Sequence, residues 1–280
     1  MESLEDITQK NKDYWEIPCG SNLASFLGIN DLSQKSLNKF DKGYFEVYPQ
    51  LKNFVLKNIN SDSKVLEIGV GYGSVSELLS KKCKEFHALD IANTPIDLVN
   101  TRLERLGKKK NGIVGSILDN PYPEESFDSI VSIGCLHHTG DLEKAIDQCF
   151  KILKPNGTLN IMIYYSYSLR RWLKDFRITR DYFLKETSGY RGIQYSNKKG
   201  ATLSYDANNN EPAPHTDFIS RKSFKKIISK HNTNCEMEIR NINYLEFNRL
   251  NRKLISSIPF LKNNLGTDLY ASIKKNNTNN

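Results

Sequence analysis

Nine residues, VLEIGVGYG at positions 65–73, constrain this chain more than any other stretch. A short, mostly apolar run reads as a buried strand. The glycines that follow at alternate positions, Gly69, Gly71 and Gly73, read as a tight turn with bare backbone open to close approach. The spacing is not the GxGxxG of dinucleotide turns. Nor does it close in GK[ST] as a phosphate loop must, because Gly73 is followed by Ser74 and Val75. An acidic residue, Glu67, sits inside the strand itself.

The rest of the first two thirds alternates regularly. Strands are expected at 64–69, 85–91, 112–117, 127–134 and 158–165. Between them lie helices, one with Val75, Leu78 and Leu79 at helical spacing. The next is expected to be capped by Thr94 with Pro95 at its first position, and a third is capped by Asp141. Such alternation implies an α/β fold, a Rossmann-like, doubly wound, mostly parallel sheet covered on both faces. After Tyr165 the rhythm breaks, and residues 166–215 read as an inserted cap or substrate region. Order returns at Ser220, which caps a helix. Residues 235–242 and 268–274 then form a closing strand pair with a helical detour between them, which brings the sheet to seven strands. The expected organisation is a helical amino-terminal lid over 1–60, a core over 61–165, the cap over 166–215 and the rest of the core over 216–280. The last residues, NNTNN, are expected to be disordered.

Apolar residues are 38% and charged residues 26% of the 280, which fits a globular protein with a real core. No apolar run approaches the ~20 residues of a membrane span. The start, MESLEDITQKNKDY, lacks the basic-then-apolar pattern of a signal peptide. Five scattered cysteines without a CxxC pair argue for a reducing, cytoplasmic setting. The net charge of +8 raises the question of nucleic acid. However, the lysines are spread out in a chain rich in Asn and Ile, so a solvated surface is the preferred reading.

Asp90 ends the second strand about 20 residues beyond the glycines. A carboxylate there can accept both hydroxyls of a ribose. With VLEIGVGYG, ALDIA (88–92) and the stretch GSILDNPYPEESFDSIVSIGCLHHTGDLEKAIDQCFKILKPNGTLNIMIYY (115–165), the chain resembles the class I S-adenosylmethionine-dependent methyltransferases. YWEIPCG (14–20), GYFEVYPQL (43–51) and PHTDFISRKSF (214–224) are similar to a bacterial branch acting on small metabolites, lipids or sugars. The resemblance implies S-adenosylmethionine as cofactor and a small-molecule acceptor. It places Gly69 and Gly71 beside the methionine part, Glu67 near the amino group, Asp90 on the ribose and Ile91 on the adenine. Ser116 and Ile117 fall at the adenine edge. Many relatives carry Asp where this chain has Ser116, so weaker adenine recognition is expected.

The segment CLHHTGD (135–141) lies just past the fourth strand. Imidazole titrates near neutrality and can take a proton from an acceptor. His138 is the expected base, ahead of His137, because Leu136, His137 and His138 leaving a strand should point alternately; a backbone-bonding role is the competing reading for both. His215 is read as a loop anchor or a substrate contact; His87 and His231 are read as structural. Tyr14, Trp15, Tyr44 and Phe45 could fold over the cofactor, or at least two of them could simply pack in the core. Asp119-Asn120-Pro121-Tyr122 looks like an amino-methyltransferase motif but follows the third strand rather than the fourth, so it reads as a turn. No carboxylate group is assembled for a metal. Two other functions stay open. One is RNA modification, motivated by Arg170, Arg171, Lys174, Arg177 and Arg180 beside Trp172 and Phe176; the other is a non-catalytic cofactor-binding scaffold.

Overall fold

The computed structural model describes residues 3–186, 212–242 and 263–277. Strand β1 (Lys64–Ile68) is buried over its last four residues, as a strand covered on both faces must be. It lies between β2 (Glu85–Asp90) and β4 (Phe127–Ile133) in a seven-stranded sheet ordered β3-β2-β1-β4-β5-β7-β6. Here β3 is Gly112–Val114, β5 Leu153–Tyr164, β6 Thr233–Arg240 and β7 Asp268–Lys275. The first five strands pair in parallel, and β7 runs antiparallel to both β5 and β6. The expected seven-stranded, mostly parallel sheet is therefore present.

Successive residues of β1 feed opposite cores, since side chains of a strand alternate faces. Val65 packs with helices α4 (Leu51–Val55), α5 (Ser74–Lys82) and α6 (Asn93–Arg105). Leu66 packs on the other face, with α7 (Leu142–Ile152) and α10 (Arg221–Ile228). Asp141 and Ser220 cap these last two helices as expected, their side chains accepting from the Lys144 and Ser223 amides. Ahead of the sheet run α1 (Leu4–Trp15), α2 (Ser21–Phe26) and α3 (Gln34–Val47). After β5, where the cap was expected, come α8 (Leu169–Lys174) and α9 (Phe176–Lys185). The remainder of that cap at 187–211, the detour at 243–262 and the tail at 278–280 lie outside the described residues.

The guanidinium of Arg102, 1% exposed, meets Asp41 of α3 through both terminal nitrogens at 2.9 Å and Glu77 of α5 at 2.8 Å. A bidentate, charge-assisted pair of this kind fixes α3 onto the core. Gly73 makes room for it: a Cβ there would stand 3.0 Å from the Arg102 Cδ.

Three local expectations are corrected. The third strand stops at Val114, and Ser116 instead caps a short 3-10 turn (Ile117–Asp119) by accepting from the Leu118 amide. Helix α6 begins at Asn93, with Ala92 at the cap position, so Thr94 is not its cap. The fifth strand starts at Leu153, five residues early, and carries Asn156 at φ 63° beside a register shift against β4.

Candidate active site

Helices cross from one face of the sheet to the other where β1 and β4 lie side by side, and open α/β sheets bind ligands beyond the carboxyl ends of such strands. A cleft of about 730 Å³, counting its open mouth, lies there. That is within the range of small-molecule sites. Gly69, Gly71, Asp90, Ile91, Ser116, Ile117 and His138 all line it; Glu67 and His137 do not.

The two glycines hold left-handed backbone, φ 77° at Gly69 and 48° at Gly71. A Cβ on Gly69 would stand 2.3 Å from the Cβ of Cys135, and one on Gly71 would stand 3.0 Å from the carbonyl oxygen of Cys19. The bare backbone thus serves two neighbours at once: the end of β4 on one side and the amino-terminal segment on the other.

Asp90 is 8% exposed and bridges the turns after β1 and β2. One oxygen accepts from the Val70 amide at 2.8 Å and the other from the Ala92 amide at 3.1 Å. Burial nevertheless pushes its carboxyl up to about 6, against the backbone hydrogen bonds that lower it. A carboxylate has about four acceptor positions, so two hydroxyl donors can still be taken. Glu67 lies behind the wall, where its Oε2 accepts from Ser76 Oγ at 2.5 Å. Burial raises it to about 8, so it is mostly protonated at neutral pH.

Residues 136–138 form a 3-10 turn rather than the end of a strand, so the expected alternate pointing of the two histidines does not apply. His138 donates from Nδ1 to the carbonyl oxygen of His215 at 2.7 Å, because a carbonyl only accepts. The lone pair of the neutral ring is therefore on Nε2. Its ring packs 5.0 Å from that of Trp15. His137 is fully buried, with ring centroids 4.2 Å from both His138 and Tyr164, and burial drives its pKa well below the ordinary histidine value. His215 anchors the loop through that carbonyl, and its Nε2 lies 3.2 Å from Asp217. His87 meets Glu85, and His231 meets Asp147. The Asp119–Tyr122 stretch is a turn, with Tyr122 packed on Phe127. Among the described residues no three His, Cys, Asp or Glu side chains gather where they could hold a metal ion.

Sequence reasoning missed much of the amino-terminal wall. Thr8, Asn11 and Cys19 line the cleft together with Trp15, whereas Tyr44 and Phe45, half-buried, pack against the core cluster on the other side of β1 from α7. One side chain latches this wall to α6. Glu16 accepts from the backbone amides of Asn93 and Thr94, both at 2.9 Å, and from the Thr94 hydroxyl at 2.7 Å. It therefore supplies the cap of α6 that Thr94 was expected to provide, and these bonds hold its carboxyl at about 2. Of the cationic set that suggested RNA, Arg171 is buried over the ring of Phe218 and Arg180 pairs with Asp181. Among the described residues, no lysine or arginine lines the cleft.

The site fits an adenosyl sulfonium. Left-handed glycines leave backbone open at the end of β1, a buried carboxylate stands one strand over, and Ile91 and Ile117 supply apolar walls. Comparisons with known proteins agree. Residues 66–161 match the family model described as a methyltransferase domain. The chain is 31% identical over 125 residues to a phosphoethanolamine N-methyltransferase of Plasmodium falciparum, covering 42% of this chain and 46% of that one. It is 27% identical over 157 residues to a ubiquinone/menaquinone biosynthesis C-methyltransferase of Rickettsia akari, covering 53% and 59%. These matches span about half the length of the curated relatives. Geranyl diphosphate C-methyltransferase from Streptomyces coelicolor shares the fold at a TM-score of 0.56 and 11% identity, over 97% of this chain and 98% of that one. A [4+2]-cyclase, SpnF, shares it at 0.58 and 9%, over 95% and 94%, so the fold alone does not decide the chemistry. Together the matched sequence and the cleft identify the core: residues 66–161 match a methyltransferase domain, and the curated relatives they resemble are methyltransferases.

Proposed function

We propose that the whole chain is a metal-independent methyltransferase that moves a methyl group from S-adenosylmethionine to a small-molecule or lipid acceptor. The observation that carries this reading is the buried Asp90 carboxylate, held by two backbone amides at the wall of a cleft floored by Gly69 and Gly71. In it, Asp90 takes the ribose hydroxyls, Ile91, Ser116 and Ile117 hold the adenine, and the glycine turn takes the methionine part. Glu67, behind the turn, keeps it in shape through Ser76. Bound there, the cofactor supplies an electrophilic methyl carbon on a positive sulfur. Trp15 and α1 exclude water from above, and an aromatic face favours positive charge.

His138 is the proton acceptor in this reading. Its Nδ1 is committed to the His215 carbonyl, which orients the ring and leaves the lone pair on Nε2. The relatives' names specify small or lipid acceptors, and the described residues of the cleft wall include none of the cations that nucleic-acid phosphates call for. None of the five cysteines forms a disulfide, which favours a cytoplasmic enzyme, and no described helix is long and apolar enough to cross a membrane.

The test is to incubate the protein with methyl-labelled S-adenosylmethionine and fractionated host extract. Label entering a small-molecule or lipid fraction supports the reading. Label confined to RNA would replace the acceptor class, and cofactor bound with no label transferred would make the chain a scaffold.

A further inference from the structure

The wall at the β4 end of the cleft carries an unused hydrogen-bond acceptor. Asn11, on α1, is 3% exposed and lines the cleft beside Thr8, Trp15, His138 and Thr139. Its Nδ2 donates to the backbone carbonyl of His138 at 2.6 Å. Because that partner can only accept, the amide's orientation is settled, and the other end of the side chain is the carbonyl oxygen. That Oδ1 is buried and has no hydrogen-bond partner among the described residues. A buried, unsatisfied acceptor costs about 1–3 kcal/mol, so one at a cleft wall calls for a ligand. In the sheet order β3-β2-β1-β4 the adenosine-binding residues belong to the first three strands and their turns, whereas His138 follows β4. Asn11 therefore stands at the end where the cofactor reading leaves room for the acceptor.

Charge narrows the class. With no lysine or arginine among the described lining residues, a carboxylate or phosphate at this end would meet an amide oxygen, an imidazole, an indole face and threonine hydroxyls that already donate to backbone carbonyls. Those groups suit a molecule that brings hydrogens and no negative charge.

We propose that Asn11 is the acceptor-recognition residue, its Oδ1 accepting a hydrogen bond from an amine or hydroxyl whose methylated end is neutral or cationic. The inference rests on the methyltransferase reading and adds the substrate class to it. A carboxylate acceptor is excluded at this wall, and selection is made by α1 rather than by the sheet.

The experiment takes the labelled product from the host extract and determines the group that carries the methyl. A methylated amine or hydroxyl is expected; a methyl ester of a carboxylate overturns the inference while leaving the methyltransferase reading intact. Absence of any labelled product overturns both. The purified acceptor is then used with Asn11→Leu and Asn11→Asp, each checked for unchanged S-adenosylmethionine affinity by calorimetry. Asn11→Asp keeps an oxygen acceptor but loses the donor to His138, whereas Asn11→Leu loses both. Recognition through Oδ1 predicts an acceptor KM raised at least tenfold in Asn11→Leu and within threefold of wild type in Asn11→Asp. Equal losses in the two variants would reduce Asn11 to an anchor for the His138 carbonyl and overturn the inference.

Discussion

Glu16 grips Thr94 twice: its Oε2 takes both the backbone amide at 2.9 Å and the hydroxyl at 2.7 Å, across 78 positions of sequence. This contact joins the segment that roofs the cleft to the helix that follows Asp90. Helix caps contribute about 1 kcal/mol, and this one also ties the amino-terminal segment to α6. Glu16→Ala is expected to lower cofactor affinity severalfold, chiefly by faster dissociation, with Glu16→Gln intermediate. Stopped-flow release of S-adenosylmethionine measures it; an unchanged release rate would show that the roof stays closed without the latch.

Gly69→Ala strikes both the backbone and its neighbour. Its φ of 77° disfavours any side chain, and the added carbon would overlap the Cys135 Cβ. A loss on the order of 3 kcal/mol in chemical unfolding is expected, with cofactor binding abolished.

Glu67 gives a pH signature of the fold. Its folded pKa, about 8, lies above the ordinary 4.5, so the native state binds the extra proton between those values. Its contribution therefore falls as pH rises from about 4.5 to about 8, and is flat beyond. Glu67→Gln removes the buried ionisation and keeps an oxygen for Ser76. Thermal melts should show the variant close to wild type at pH 5 and more stable at pH 9, by an amount on the order of 2 kcal/mol. Equal stability at pH 9 would mean that the carboxylate is hydrated.

His138→Ala should leave S-adenosylmethionine affinity within threefold while lowering kcat at least a hundredfold, as loss of a general base does. Calorimetry with the cofactor and turnover with the acceptor isolated from the extract separate the two effects. Equal losses in both would make His138 a structural residue.

Much of this was legible in the chain because it rests on local signals. Val65 to Ile68 read as a buried strand, Asp141 and Ser220 read as caps three residues before the amides they accept from, and Gly69 and Gly71 marked the turn. What escaped rests on distant partners. The cap of α6 comes from Glu16, so the local Pro95 signal pointed to the wrong residue. Asn11 looks like any polar position of an amphipathic helix, and it is buried only because α1 lies against the loop carrying His138. The two histidines were read with strand alternation, but they sit in a turn where that period does not hold.

The central claim is that Asp90 grips the adenosyl group at the glycine turn, and titration calorimetry with S-adenosylmethionine tests it most directly. Wild type should bind about tenfold more weakly at pH 5 than at pH 7.5, because only the anion accepts both hydroxyls and the carboxyl titrates near 6. Asp90→Ala should lose at least a hundredfold at pH 7.5 and show no such dependence. Binding by Asp90→Ala equal to wild type at pH 7.5 would contradict the account.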